Sequence, residues 1–307
     1  LFCNYLHFFT SRFFAVCIFR PPFTLCTLIP SAKLVRPFVK KLRSPPMSEP
    51  VLKIFSYLPN PRVWKALIAA DLLNLQIEVA GDKPSNLDKW LWDHQARLLE
   101  DHERHSGNPA ARESRRGFSQ TLFKTDAFML AHPFGTVPAG FSKDGNVGIF
   151  ESNSILRAVA RLGDQAIGLY GRDVTEASRI DGFLDSILVF SREAQEYLLA
   201  MDKMTTYQYE RMAEAFEFFS AGIEQTLQHN RFLVGDEMTL ADIAFACDFS
   251  QFLRERLMQN RLDPVDLHCI SHDAETAYPR TFAHLQNLST HAVFEKYLGD
   301  YNAHIWL

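Results

Sequence analysis

A chain of 307 residues, 47% hydrophobic and 22% charged, has the make-up of an ordinary globular protein and is long enough for one large domain or two of common size. Its charge is uneven: residues 1–46 hold seven Lys and Arg and no acid, so with a total of −4 the body from residue 47 onward carries −11. An acidic body argues against nucleic-acid binding, which draws its affinity from phosphate neutralisation.

The first 46 residues stand apart. They lack an initiating Met, are rich in Phe and are interrupted by Arg12, Arg20 and the pair Pro21–Pro22. Their longest apolar run, FFAVCIF, is far shorter than the ~20 residues of a membrane helix. An Arg-bearing, acid-free segment has the composition of an organelle transit peptide, and the other reading is translated upstream sequence with Met47 as the start. The second reading is preferred and implies a cytoplasmic protein; the first implies an organelle. Both leave residues 1–46 outside the fold. Cys3, Cys17 and Cys26 fall in this leader, so the body keeps only Cys247 and Cys269. That is no disulfide framework and suits a reducing compartment.

From Val51, VLKIFSY predicts a strand. LPNPRVWKALIAADLLN predicts a helix, with Asn60 as N-cap, Pro61 at the first helical position and apolar residues Val63, Ala66, Leu67, Ala70 and Leu73 on one face. LQIEVA alternates as a second strand, giving a β-α-β start that favours a parallel pair. Residues 82–120 break the pattern. Within them KWLWDHQARLLEDHERH predicts a helix, followed by a polar, basic stretch, the whole read as an insertion or lid over the sheet. GTVPAGF and NVGIF then form a hairpin through Asp144–Gly145. SNSILRAVARLG follows as a helix, started by Ser152 or Asn153 and ended at Gly163.

Beyond GLYGRD the strand signals stop. Helices are predicted over 174–201, 205–229 and 239–259, with shorter ones at 279–288 and 291–299. TLADIAFAC is apolar nearly all round and belongs inside a bundle. Thr239 and Asp242 have capping-box spacing, with Asp in place of Glu, and Asp242→Ala should cost about 1 kcal/mol or more. The fold class expected is a thioredoxin-like α/β domain over about 51–164 followed by an all-α helical domain over about 173–300.

This layout resembles the cytosolic glutathione transferase superfamily over about residues 51–300. The motifs PRVWKALIAA, GTVPAGF…FESNSI and FLVGDEMTLADIAFAC look most like the transferase-type domain of the translation elongation factor one gamma subunit. The resemblance implies a cis Val137–Pro138 bond that presents the Val137 backbone to the cysteinyl part of glutathione. It implies that Glu151 meets the glutathione ammonium, while Ser152 and the amides at the helix start meet its carboxylate. A trans proline ending an edge strand, and plain helix capping, are the structural alternatives at these positions.

The sulfur side departs from the family pattern. Ile54 and Leu58 occupy the usual Tyr and Ser positions, and neither donates a hydrogen bond. Ser56, Tyr57, Asn60 and the backbone N–H of Arg62 are the nearby candidates for holding a thiolate. Lowering a thiol pKa from ~8.5 by ~2 units takes ~2.7 kcal/mol. A helix N-terminus with one charge-assisted hydrogen bond is of that order. Phe183, Ile187 and Phe190 are expected to wall the pocket of a hydrophobic electrophile.

Three functions follow in order. The first is a glutathione transferase, using glutathione as co-substrate, acting as a homodimer and needing no metal. The second is a non-catalytic interaction domain working with elongation factor subunits. The third, a thiol-disulfide oxidoreductase, wants a Cys in LPNPR and finds none. Nucleic-acid and membrane-spanning roles are not expected. Other signals read as structural: His94, His102 and His105 as a polar face, HCISHD without a second metal pair, RESRRGF (112–118) as a solvated loop, and Met201 and Met204 as packing.

Overall fold

The computed structural model describes residues 49–114 and 121–306; the leader 1–46 and positions 115–118 of the basic cluster lie outside the described residues. Strand β1 (Leu52–Tyr57) leads into helix α1 (Pro61–Leu72). Its start follows the sequence: Asn60 is extended, its side chain accepts from the Arg62 N–H, and Pro61 gives up an N–H that the first turn would leave unused. Strand β2 (Ile77–Asp82) runs parallel to β1, from Leu52 opposite Ile77 to Tyr57 opposite Asp82.

The insert is folded, and not as expected. In place of a helix over 89–105 the chain forms β3 (Trp90–Trp92) and β4 (Arg97–Leu98), then β5 (Ala111–Glu113) and β6 (Thr121–Lys124). These make a second four-stranded sheet in the order β4-β3-β6-β5. Burial of aromatic rings overrides the helical pattern. Trp92 is fully buried, edge-on to Phe55 and Phe128, with its indole N–H donating to the Leu87 carbonyl. Trp90 packs on Phe55 from the same strand. Bulky aromatics favour a pleated, half-buried surface. With Leu87, Leu122 and Phe141 they form a core that covers one face of the first sheet.

Helix α2 (Asp126–Ala131) is capped by the Thr125 hydroxyl. The hairpin β7 (Ala139–Ser142) and β8 (Gly148–Phe150) completes the first sheet in the order β2-β1-β7-β8. Its turn needs Gly145, which has a φ of 78° and would drive a Cβ to 2.5 Å from the His94 ring. Helix α3 (Ser152–Leu162) ends at Gly163, as expected.

The helical half comprises α4 (Val174–Leu199), α5 (Thr206–Thr226), α6 (Leu240–Leu253), α7 (Gln259–Leu262), α8 (Ala274–Ala277), α9 (Pro279–Ser289) and α10 (Ala292–Asn302). Helix α6 is buried on all sides and opens with the Thr239–Asp242 capping box. It ends at Leu253 and tightens into a 3-10 turn over Arg254–Met258, short of the expected residue 259. One hydrophobic core runs from Leu52 and Ile54 of β1 through α1 and α3 to Phe245 and Phe249 of α6 and Leu298 of α10. The thioredoxin-like layer and the helical bundle therefore share their interior.

Candidate functional site

Strand register gathers the expected residues at one end of the first sheet. The antiparallel β1–β7 ladder ends at Phe55 opposite Ala139, so Tyr57 and Val137 lie just beyond it at the same end of the sheet. The β7–β8 ladder ends at Ala139 opposite Phe150, which puts Val137–Pro138, just before β7, at the same end of the sheet as Glu151 and Ser152, just after β8. The Val137–Pro138 peptide is cis, as is Leu58–Pro59. Neither the N–H nor the C=O of Val137 has a hydrogen-bond partner among the described residues, which leaves an open edge for an extended backbone.

Beside that edge lies the start of α3. The N-cap is Glu151, with φ 66° and ψ 129°, rather than Ser152 or Asn153. Ser152 is the first helical residue and is buried. Backbone bonding begins with the Ile155 N–H donating to the Glu151 carbonyl, so the amides of Ser152, Asn153 and Ser154 are unpaired among the described residues. Unpaired amides at a helix start are suited to a carboxylate. Asn153 is occupied elsewhere: its Oδ1 accepts from Lys65 Nζ at 2.8 Å and its Nδ2 donates to the Leu184 carbonyl at 2.7 Å.

On the sulfur side, two expected donors, the Asn60 amide and the Arg62 N–H, are committed to the fold, and the Ser56 hydroxyl is sealed in the interior as an acceptor. Asn60 Nδ2 donates to Ser56 Oγ at 3.0 Å, and both residues are fully buried. The Arg62 N–H donates to Asn60 Oδ1 at 2.9 Å, so it caps the helix and is not free for a thiolate. Ile54 packs in the core. Tyr57 remains: it is half-buried, and its hydroxyl has no partner among the described residues. Burial pushes its phenol pKa up, an effect partly offset by the nearby Arg62 charge, so the group stays a neutral donor at ordinary pH.

The expected electrophile wall is corrected. Ile187 and Phe190 are buried inside the bundle, with Phe190 stacked on Phe219 at 4.3 Å. Phe183 is half-buried beneath the Arg179 guanidinium. Helix α4 instead turns polar groups toward α1. Arg62 Nη1 donates to Gln195 Oε1 at 3.1 Å, and Nη2 donates to the Ser191 carbonyl at 3.1 Å and hydroxyl at 2.8 Å.

Behind this contact runs a buried chain that the sequence reading did not identify. Lys65 Nζ sits 2.7 Å from Asp248 Oδ2, with both side chains 1% exposed, and Ser191 Oγ donates to Asp248 Oδ1 at 3.2 Å. The series Asn153–Lys65–Asp248–Ser191–Arg62 links the α3 start to the α1–α4 contact. A signal was present, because a lone charge in VWKALIAA and another in AFACDFS cannot stay buried without a partner.

The remaining signals fall outside this site. His94 stacks edge-on to Phe141, and His102 is exposed beside Glu100. Arg112 pairs with Asp126. Met201 and Met204 pack in the core. Burial pushes the Cys269 thiol of HCISHD up to about 12. Among the described residues no cluster of His, Cys, Asp or Glu is placed to hold a metal ion, and no helix is long and apolar enough to cross a membrane.

Residues 185–289 match the family described as Glutathione S-transferase, C-terminal domain. The chain is 26% identical over 204 residues to the glutathione S-transferase-like protein LUC7 of Fusarium sp, covering 64% of this chain and 75% of that protein. It is 35% identical over 115 residues to elongation factor 1-gamma of Trypanosoma cruzi, covering 37% of this chain but only 27% of that protein. In structure it is similar to the glutathione transferase URE2P6 from Phanerochaete chrysosporium, solved in complex with oxidized glutathione. That match has a TM-score of 0.57 at 15% identity and covers 83% of this chain and 98% of the other.

Proposed function

We propose that this chain, whose residues 185–289 match the glutathione S-transferase C-terminal domain, is a member of that superfamily, binds glutathione at the end of the first sheet and conjugates the thiolate to a small electrophile. The observation that carries this reading is the meeting of two open backbone features: the unpaired Val137 edge and the unpaired amides at the α3 start. An extended tripeptide would pair through its cysteinyl backbone with Val137. Its γ-glutamyl carboxylate would take the amides and hydroxyl of Ser152, and its ammonium would meet Glu151. The sulfur would then face Tyr57, whose neutral hydroxyl donates to the thiolate.

In the chemical step the thiol proton leaves to solvent and sulfur forms an S–C bond to the electrophile. A halide departs from an aryl halide, or a proton adds to the neighbouring carbon of an activated alkene. Calorimetric titration with glutathione, followed by assay with a generic aryl halide, tests both parts. Binding with turnover supports the transferase; no binding rejects the site.

One observation favours a second reading, a non-catalytic interaction domain of the elongation factor gamma type. The Asn60 amide and the Arg62 N–H are spent internally and Ser56 is fully buried, which leaves Tyr57 as the accessible one among the expected donors. Glutathione binding without turnover, together with capture of elongation factor subunits, would support that reading. A homodimer is proposed in either case, and sedimentation equilibrium tests it.

A further inference from the structure

We infer that the Arg62 side chain is an anion receptor for the second substrate, so that the electrophile this protein prefers carries a carboxylate. The inference rests on the proposed glutathione site and goes beyond it to the class of co-substrate.

Arg62 is the second residue of α1, five residues after Tyr57, and Tyr57 lies just beyond the end of the β1–β7 ladder, at the same end of the sheet as Val137. The guanidinium is half-buried and makes no ion pair with a carboxylate among the described residues. Among the described residues the three hydrogen bonds of its side chain go to neutral acceptors: Gln195 Oε1, the Ser191 carbonyl and the Ser191 hydroxyl. The nearest acid along this network is Asp248, and Lys65 already pairs with it at 2.7 Å. The positive charge of Arg62 is thus left uncompensated. Its Nε makes no hydrogen bond among the described residues, and Nη1 makes one, so donors remain for a ligand.

Ser191 and Gln195 meanwhile hold the guanidinium plane in place. A planar, pre-oriented fork of this kind matches a carboxylate in a way that a hydrophobic wall does not. An uncompensated, part-buried cation has an energetic cost that an anionic ligand would relieve. This also accounts for α4 presenting Ser191 and Gln195 to α1 where an apolar wall was expected.

The test uses two pre-formed conjugates: S-(4-carboxy-2,6-dinitrophenyl)glutathione and its methyl ester. Their dissociation constants are measured by calorimetry on the full chain, on Arg62→Met and on Arg62→Lys. The acid should bind wild type roughly tenfold or more tighter than the ester, the scale of one charge-assisted hydrogen bond. The preference should collapse to about equal affinity in Arg62→Met and survive in part in Arg62→Lys. Should Arg62→Met fail to fold, the lysine variant and the salt dependence of the wild-type preference carry the test, since an ionic contact weakens as ionic strength rises. Equal preference in wild type and variants, or tighter binding of the ester by wild type, overturns the inference while leaving the glutathione site intact. A wild type that binds neither glutathione nor either conjugate overturns the site itself.

Discussion

Lys65 of α1 and Asp248 of α6 form a fully buried ion pair at 2.7 Å where the α/β layer meets the helical bundle. Lys65 also donates to Asn153, the second residue of α3, so the pair reaches the edge of the proposed anion site. Removing one partner strands a charge in the interior. Lys65→Met or Asp248→Leu alone should lose about 3–5 kcal/mol in urea unfolding, and the double variant should lose much less. Single variants as stable as wild type would show that the pair is not buried in solution.

Glu151 holds a φ of 66°, which an L-residue adopts at a cost of about 1–3 kcal/mol. Glu151→Gly should therefore raise the thermal midpoint while weakening glutathione binding. Glu151→Ala should weaken binding without that gain. Full glutathione affinity in both variants would remove the carboxylate from the site.

Tyr57→Phe deletes the one expected sulfur donor that the fold leaves unspent. Burial raises the phenol pKa, so the group donates across the whole neutral range. The variant should keep its glutathione affinity and lose roughly ten- to hundredfold in turnover, the worth of one hydrogen bond to a charged group. The ultraviolet absorbance of bound thiolate should appear at higher pH than in wild type. An unchanged thiolate titration would dismiss Tyr57.

Asp242 does more than close a capping box. Oδ2 accepts from the Thr239 N–H at 2.9 Å and its hydroxyl at 3.2 Å, Oδ1 accepts from the Leu233 N–H at 2.9 Å, and His284 Nε2 lies 2.9 Å from Oδ1. Asp242→Ala leaves several buried donors without an acceptor, so the loss should reach about 3 kcal/mol, above the ~1 kcal/mol of a cap alone. Chemical denaturation measures it, and a loss of 1 kcal/mol or less would reduce Asp242 to a simple cap.

His132 is enclosed by Phe128, Phe141 and Phe150, and both ring nitrogens are buried, with only a poorly aligned contact to the Gly140 backbone. Burial lowers its pKa to about 4. The sign follows from proton counting. Below the unfolded value of ~6.5 the unfolded chain takes up a proton that the folded chain refuses until about pH 4. The stability that His132 supports is therefore complete above pH ~6.5 and is lost as pH falls toward 4. His132→Phe should flatten the unfolding midpoint over that window relative to wild type, whereas parallel pH curves would show that His132 does not titrate there.

Local chemistry in the sequence determined much of this protein. Asn60 and Pro61 start α1 because cap and first-turn requirements concern only neighbouring residues. Asp144–Gly145 makes the hairpin, Thr239 and Asp242 open α6, and outside the insert the order of the main strands and long helices follows from period and punctuation. The hairpin between GTVPAGF and ESNSI was legible from its turn, because a short antiparallel connection is local, but the grouping of Val137, Glu151 and Ser152 as one site came from the family resemblance of those motifs. Tertiary structure decided the rest. The insert became a sheet because Trp90 and Trp92 found Phe55 and Phe128, partners distant in the chain. Ser56 and Asn60 satisfied each other, Phe190 turned into the bundle, and Lys65 met Asp248 across 183 residues. Whether a polar group faces a ligand or a neighbour depends on what packs against it, and a linear pattern does not contain that information.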